Sequence, residues 1–168
     1  MDYHLKYLKY KTMYLDLKSI NQEGGKRKQK KMKKYNSDKT NKVYYQKING
    51  MDIIPNYTET LSEPWFTLIS LGLKTVEGRR NKGRFMEMKI GDIIEWTNYD
   101  FKPRRVMTKI KRKTVYETFE EYLETEGLDK CLPGIPSLSH GLSVYFKYFT
   151  KQDEKDFGVV AIEIELIK

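Results

Sequence analysis

Several residue types are scarce in this chain, and each shortage excludes something. One cysteine, Cys131, in 168 residues allows no internal disulfide framework and no thiolate-rich zinc site. Two histidines far apart, His4 and His140, offer no structural metal centre, so neither a metal nor a cofactor is expected. No apolar run approaches the roughly 18 residues that a membrane span needs, so integral membrane association is not expected. The first residues lack the short apolar stretch and small-residue cleavage site of a secretory signal. Hydrophobic residues make up 39% of the chain, below the roughly 45–50% of an average globular sequence, so part of it builds no core. Together these shortages predict a soluble protein of a reducing, intracellular compartment, cytoplasm or nucleus.

Positive charge is abundant and unevenly placed. The chain has 32 Lys+Arg against 23 Asp+Glu, a formal net charge of +9. Residues 1–45 hold 13 basic and 4 acidic residues, which is the whole excess, while residues 46–168 hold 19 of each. Within the neutral part, residues 79–113 carry 12 basic against 4 acidic, between two acidic segments. A neutral domain can still present one basic face to a polyanion.

Three segments follow from this. Residues 1–20 read as an amphipathic helix, with Tyr3, Tyr7, Tyr10, Tyr14 and Leu17 at alternating spacings of four and three. Such a short helix needs something to pack on: its own domain, another copy, a membrane surface or a protein partner. Residues 21–45 read as a flexible polybasic linker, with Gly24-Gly25 breaking the helix and seven basic residues between Lys26 and Lys34. Residues 46–168 read as the folded domain.

From Asn56 onward the pattern turns globular. Asn56–Leu61 predicts a strand, and Ser62 is placed to cap a helix through Trp65, Leu68 and Ile69, closed by a left-handed Gly72. Strands are expected at Thr75–Arg79, at Ile93–Thr97 and at Arg105–Lys111, where Val106, Thr108 and Ile110 alternate with Arg105, Met107, Lys109 and Lys111. Thr118 and Glu121 form a capping box for a helix stopped by Gly127, and Ser137 starts another through Leu138, Leu142 and Tyr145. A last strand sets Val160, Ile162, Ile164 and Leu166 against Glu163 and Glu165. Short strands interrupted by helices predict an α+β domain whose sheet curls into a small β-barrel with flanking helices.

The motifs Glu63-Pro64-Trp65-Phe66, Leu71-Gly72-Leu73-Lys74-Thr75-Val76-Glu77-Gly78-Arg79 and Lys89-Ile90-Gly91-Asp92-Ile93-Ile94 resemble those of an ASCH domain, a branch of the PUA-like superfamily. Glu126-Gly127-Leu128, Leu132-Pro133-Gly134 and the Gly158–Glu165 strand extend the resemblance over about residues 56–168. It implies a β-barrel with a cleft for RNA or a modified nucleoside. The residues suit that role. Lys74 leaves a helix through a glycine turn and can point into a cleft, while Thr75, Glu77 and Arg79 share one strand face. Trp65 and Tyr145 would supply stacking surfaces, and Arg80, Arg84, Arg105 and Lys109 phosphate contacts. The same Lys-Glu-Arg set also reads as an ordinary surface ion-pair ladder.

Some proteins of the resembled family remove the acetyl group from N4-acetylcytidine, and on their pattern Lys74 and Glu126 match the catalytic lysine and glutamate. The position of their threonine is taken by Glu77, which does not replace a hydroxyl but can act as a general base towards water. An RNA- or nucleoside-binding module is therefore expected first, with an N4-acetylcytidine amidohydrolase as the alternative. A ribonuclease or a virion-associated structural protein stands third. That last reading comes from Lys6-Tyr7-Leu8-Lys9-Tyr10-Lys11 and the following Tyr14-Leu15, which are similar to a leader segment of giant amoebal viruses of the mimivirus type.

Overall fold

A computed structural model describes residues 46–48, 51–100 and 103–167. The leader helix expected over residues 1–20 and the linker over 21–45 lie outside the described residues. Strands β1 (Gln46–Ile48) and β2 (Met51–Ile53) pair antiparallel in a hairpin of their own.

Three long strands rich in β-branched residues form the centre of the main sheet: β5 (Ile93–Asn98), β6 (Arg104–Tyr116) and β7 (Val159–Leu166). Two shorter strands, β3 (Tyr57–Thr60) and β4 (Val76–Arg80), form its edges, in the order β3-β5-β6-β7-β4. Only the β3–β5 pair is parallel. β6 runs 13 residues, well past the expected Lys111, because it serves two partners. Its first half pairs with β5 and the stretch from Thr108 to Tyr116 pairs with β7, with a register shift between Ile110 and Arg112. A bulge there bends the strand and increases its twist, so the sheet curls. The result is a half-barrel that stays open between β3 and β4.

Helix α1 (Trp65–Ser70) crosses from β3 towards β4. Phe66, Leu68 and Ile69 are buried on it, while Trp65 is half-buried. Ser62 does not cap this helix. The N-cap is Pro64, and the Glu63 carboxylate instead takes the Thr67 N–H (3.3 Å) and hydroxyl (2.9 Å), while Ser62 Oγ meets the Tyr148 hydroxyl at 3.3 Å. Gly72 has φ +69°, the left-handed conformation expected at a helix end. A short α2 (Arg84–Glu87) follows β4. After β6 come α3 (Phe119–Glu126), α4 (Leu128–Cys131), α5 (Leu138–Tyr145) and α6 (Lys151–Phe157). Thr118 accepts the Glu121 N–H as expected, but Glu121 reaches back to Glu117 N–H. The full reciprocal box forms instead on α6, between Thr150 and Asp153. That helix has too few apolar residues to announce itself by periodicity.

β7 separates two cores. Val160 and Ile162 pack with Trp96, Ile94, Phe66 and Ile110 inside the curl. Val159 and Ala161 face the other way, onto Phe119, Tyr122, Leu123 and Tyr145. Its first half is therefore apolar on both faces, as in a strand covered on both sides, and the expected alternation holds only from Glu163 onward. Inside the curl, the fully buried Trp96 donates its indole N–H to Thr108 Oγ1 at 2.8 Å, also fully buried. Thr108→Val keeps the shape and strands that donor, so urea unfolding should show a loss of about 1–3 kcal/mol.

Candidate functional site

The open side of the half-barrel is a cleft of about 240 Å³. One wall is the end of β3 with Thr60, Leu61 and Ser62, and the facing wall is β4 with Glu77, Gly78 and Arg79. Trp65 of α1 and Tyr145, Tyr148 and Phe149 at the end of α5 supply aromatic surface, and Lys74 sits at the base.

Lys74 is 2% exposed, yet its ammonium group is fully met. Nζ donates to the Val76 carbonyl at 2.8 Å and to the Cys131 carbonyl, and lies 2.9 Å from Glu77 Oε2. The ring of Trp65 lies 5.9 Å away. Three donors thus find two carbonyls and one carboxylate, as a buried cation requires. Glu77 is itself 5% exposed, and its second oxygen lies 2.7 Å from Arg79 Nε. Burial alone would raise the Glu77 carboxyl, but Lys74 and Arg79 outweigh it and hold it below the ordinary 4.5. Arg79 lies over the Phe85 ring at 5.1 Å, half-buried at the cleft rim. The result is a line of alternating charge, Lys74–Glu77–Arg79, running from the base of the cleft to its mouth.

Lys74, Glu77, Arg79, Trp65 and Tyr145, anticipated from the sequence, are brought together around this cleft. The others lie elsewhere. Thr75 faces a second, larger hollow of about 560 Å³, which Lys74 also lines together with Lys111, Arg112 and Lys130. There Lys111 pairs with Glu165 (3.1 Å) and Arg112 with Glu163 (2.7 Å). Glu126, 5% exposed, is not among the cleft-lining residues. Arg112 grips both its oxygens and the Tyr116 hydroxyl donates to it at 2.7 Å. Hydrogen bonds from Arg112 hold its carboxyl below the ordinary 4.5 against its burial, with help from Tyr116. Arg80 is tied to Asp153 at 2.5 Å beside the Phe149 ring. Arg84 reaches Glu59 (3.1 Å) and Arg105 reaches Glu95 (3.3 Å). Lys109 is exposed on β6 and does not line the cleft. His140 is exposed on α5 against Ser137 Oγ.

Tyr148, Phe149 and Gly78 also line the cleft, beyond the residues expected there from the sequence. The dense aromatic run from Tyr145 to Phe149 and a glycine inside a strand were the available signals. Cys131 is no nucleophile here, since burial pushes its thiol up to about 11. Among the described residues no group of three or more His, Cys, Asp or Glu is placed to hold a metal, and no helix is long and apolar enough to cross a membrane.

Fold and cleft thus define a half-barrel α+β domain with a charged, aromatic-walled seam. The chain belongs to the ASCH domain family, a branch of the PUA-like superfamily, whose profile matches residues 60–168. It is similar to the crystal structure of hypothetical protein PH0355, with 39% identity and TM-score 0.60 over 66% of this chain and 98% of that one. It is also similar to the solution NMR structure of protein PF0455 from Pyrococcus furiosus, with 37% identity and TM-score 0.56 over 67% and 97%. A search of curated proteins finds no significant match. The family match begins at residue 60, so the resemblance of the leader to giant-virus proteins gains no support from these comparisons.

Removing Glu77 strands a buried cation, so Glu77→Leu should lose about 3–5 kcal/mol in urea unfolding. The double variant Lys74→Met/Glu77→Leu should lose clearly less than the sum of the single losses. Glu77 and Glu126 both titrate below 4.5 when folded. Their contribution to stability is then complete above that pH and is lost as the pH falls through their folded values. Glu126→Gln should flatten that acid limb when unfolding is followed against pH.

Proposed function

We propose that the protein binds RNA or a modified nucleoside, with one base held in the cleft at the seam. The observation that carries this reading is the Lys74–Glu77–Arg79 line, buried at Lys74 and Glu77, beneath a wall of aromatic rings. Aromatic rings stack on the face of any base, while fixed charges address the polar edge of a base or its phosphate. A cleft of about 240 Å³ is smaller than the roughly 300–1,000 Å³ of drug-sized sites, and suits a single ring rather than a whole nucleotide. Arg79 stands at the rim, where a sugar or phosphate would emerge. The polybasic residues 26–34 add affinity for any polyanion without selecting among them.

Binding is favoured over hydrolysis by how the ionisable groups are engaged. A lysine nucleophile must offer a free amine, and all three donors of Lys74 are already committed. Glu126, the carboxylate matched to the amidohydrolase pattern, is committed to Arg112 and Tyr116. Release of cytidine from N4-acetylcytidine by the intact protein, lost in Lys74→Ala, would replace this reading with the hydrolytic one.

Calorimetric titration with nucleosides tests the cleft without the polybasic segment, because a nucleoside carries no phosphate for it to neutralise. Tyr148 is 59% exposed, so Tyr148→Ala should leave the melting temperature unchanged. It should weaken nucleoside binding by about 1–3 kcal/mol, the usual cost of losing a stacking ring.

A further inference from the structure

The two walls of the cleft are the two edge strands of the sheet, and their main chains are its least satisfied part. β4 pairs antiparallel with β7, with Glu77 opposite Ile162 and Arg79 opposite Val160. The phase of that ladder is set at both ends. The Thr75 carbonyl accepts from Ile164 N–H at 2.9 Å, and Asn81 N–H donates to the Gly158 carbonyl at 3.2 Å. In an antiparallel ladder, residues alternate between those bonded to the partner strand and those whose N–H and C=O point away from it. Thr75, Glu77, Arg79 and Asn81 therefore face β7, and Val76, Gly78 and Arg80 aim their main-chain groups at the open side.

Of the three outward carbonyls, two are met within the protein. That of Val76 accepts from Lys74 Nζ (2.8 Å) and the Tyr122 hydroxyl (3.5 Å), and that of Arg80 accepts from Lys82 N–H (2.8 Å). Gly78 lies between them, buried and lining the cleft, and no described residue meets its outward N–H or C=O. Buried main-chain groups are paired in the great majority of cases, so an unmet pair is costly unless something polar reaches it. Gly78 cannot simply be replaced by a larger residue that would cover the gap. A Cβ there would lie 2.6 Å from Tyr122 Cε1, so the ring of Tyr122 occupies that space.

We propose that the main-chain N–H and C=O of Gly78 read the edge of the bound ring, taking an acceptor and a donor that lie side by side on a planar heterocycle. This rests on the base-binding reading of the cleft and specifies what the cleft selects. Adjacent donor and acceptor atoms in one plane are what a pyrimidine or purine presents along its pairing edge, and what a strand residue presents along its open edge. An added polypeptide strand is a poorer fit. It would need successive open residues on β4, and the carbonyls on both sides of Gly78 are already engaged. Aromatic rings around the cleft point the same way, to a flat ligand rather than an extended chain.

The test uses the full-length protein and nucleosides altered only at the pairing edge. Cytidine and uridine are compared by calorimetry with N4,N4-dimethylcytidine and 3-methyluridine, which keep ring and ribose but lose the donor. Each methylated nucleoside should bind at least about tenfold more weakly than its parent, because one buried main-chain acceptor is left unmet. In proton–nitrogen NMR spectra the Gly78 amide proton should move downfield with cytidine. If the methylated nucleosides bind as well as their parents, or cytidine binds without moving the Gly78 amide, the edge-reading proposal is overturned and the cleft reading stands. If neither parent nucleoside binds, both are overturned.

Discussion

The Lys74 ammonium group lies where strand β4 and the end of α4 meet, and between them they contribute three acceptors to it. The Val76 carbonyl comes from β4, the Cys131 carbonyl from the end of α4, and the Glu77 carboxylate from the strand face that lines the cleft. A cation nearly removed from water must be met on every side, or it loses its proton or its place. Meeting it ties the helical layer to the edge of the sheet and holds Glu77 in its ionised form. Glu77 in turn positions Arg79 at the rim. The electrostatic character of the cleft therefore depends on a structural requirement, the satisfaction of one buried charge.

The second constraint is the incomplete closure of the sheet. β6 bends at its bulge and carries β5 and β3 round towards β4, but no hydrogen bonds join the two edges. α1 and the α5–α6 segment occupy the gap from either side, which leaves the seam lined by rings and by open main chain. Edge strands are usually protected by charge, bulges or covering elements, because an unpaired edge invites unwanted pairing. Here the edges are short, four and five residues, and Arg84 and Lys74 already engage carbonyls along them. What remains open is small enough for a single ring and too short for another strand.

Much of the fold was legible in the sequence because local chemistry dictated it. The strands at β3, β5 and β7 follow from runs of β-branched and aromatic residues, and the stops at Gly72 and Gly127 from the need for positive φ, +69° and +92°. Lys74, Glu77 and Arg79 stood out through the family motif and their shared strand face. The length of β6, the apolar run at the start of β7 and the polar helix α6 were less legible, because each depends on neighbours. A strand that serves two partners, or is covered on both faces, carries no distinctive period of its own. The same holds for the Ser62 cap, which Glu63 displaced by reaching Thr67 with both carboxylate oxygens.

By itself the sequence determined the fold class, the placement of the net charge in residues 1–45, and the presence of one lysine at a helix-to-strand turn with a carboxylate and a guanidinium to follow. Those are properties of composition, spacing and local conformation. Only the tertiary structure decided that Lys74 is buried and saturated rather than exposed, and that Glu126 answers to Arg112 and Tyr116 instead of lining the cleft. It also decided that Tyr148, Phe149 and the bare edge of Gly78 line the cleft. Partners far apart in the chain, such as Lys74 and Cys131, meet only when the sheet curls, and no local pattern encodes which carbonyl a buried cation will find.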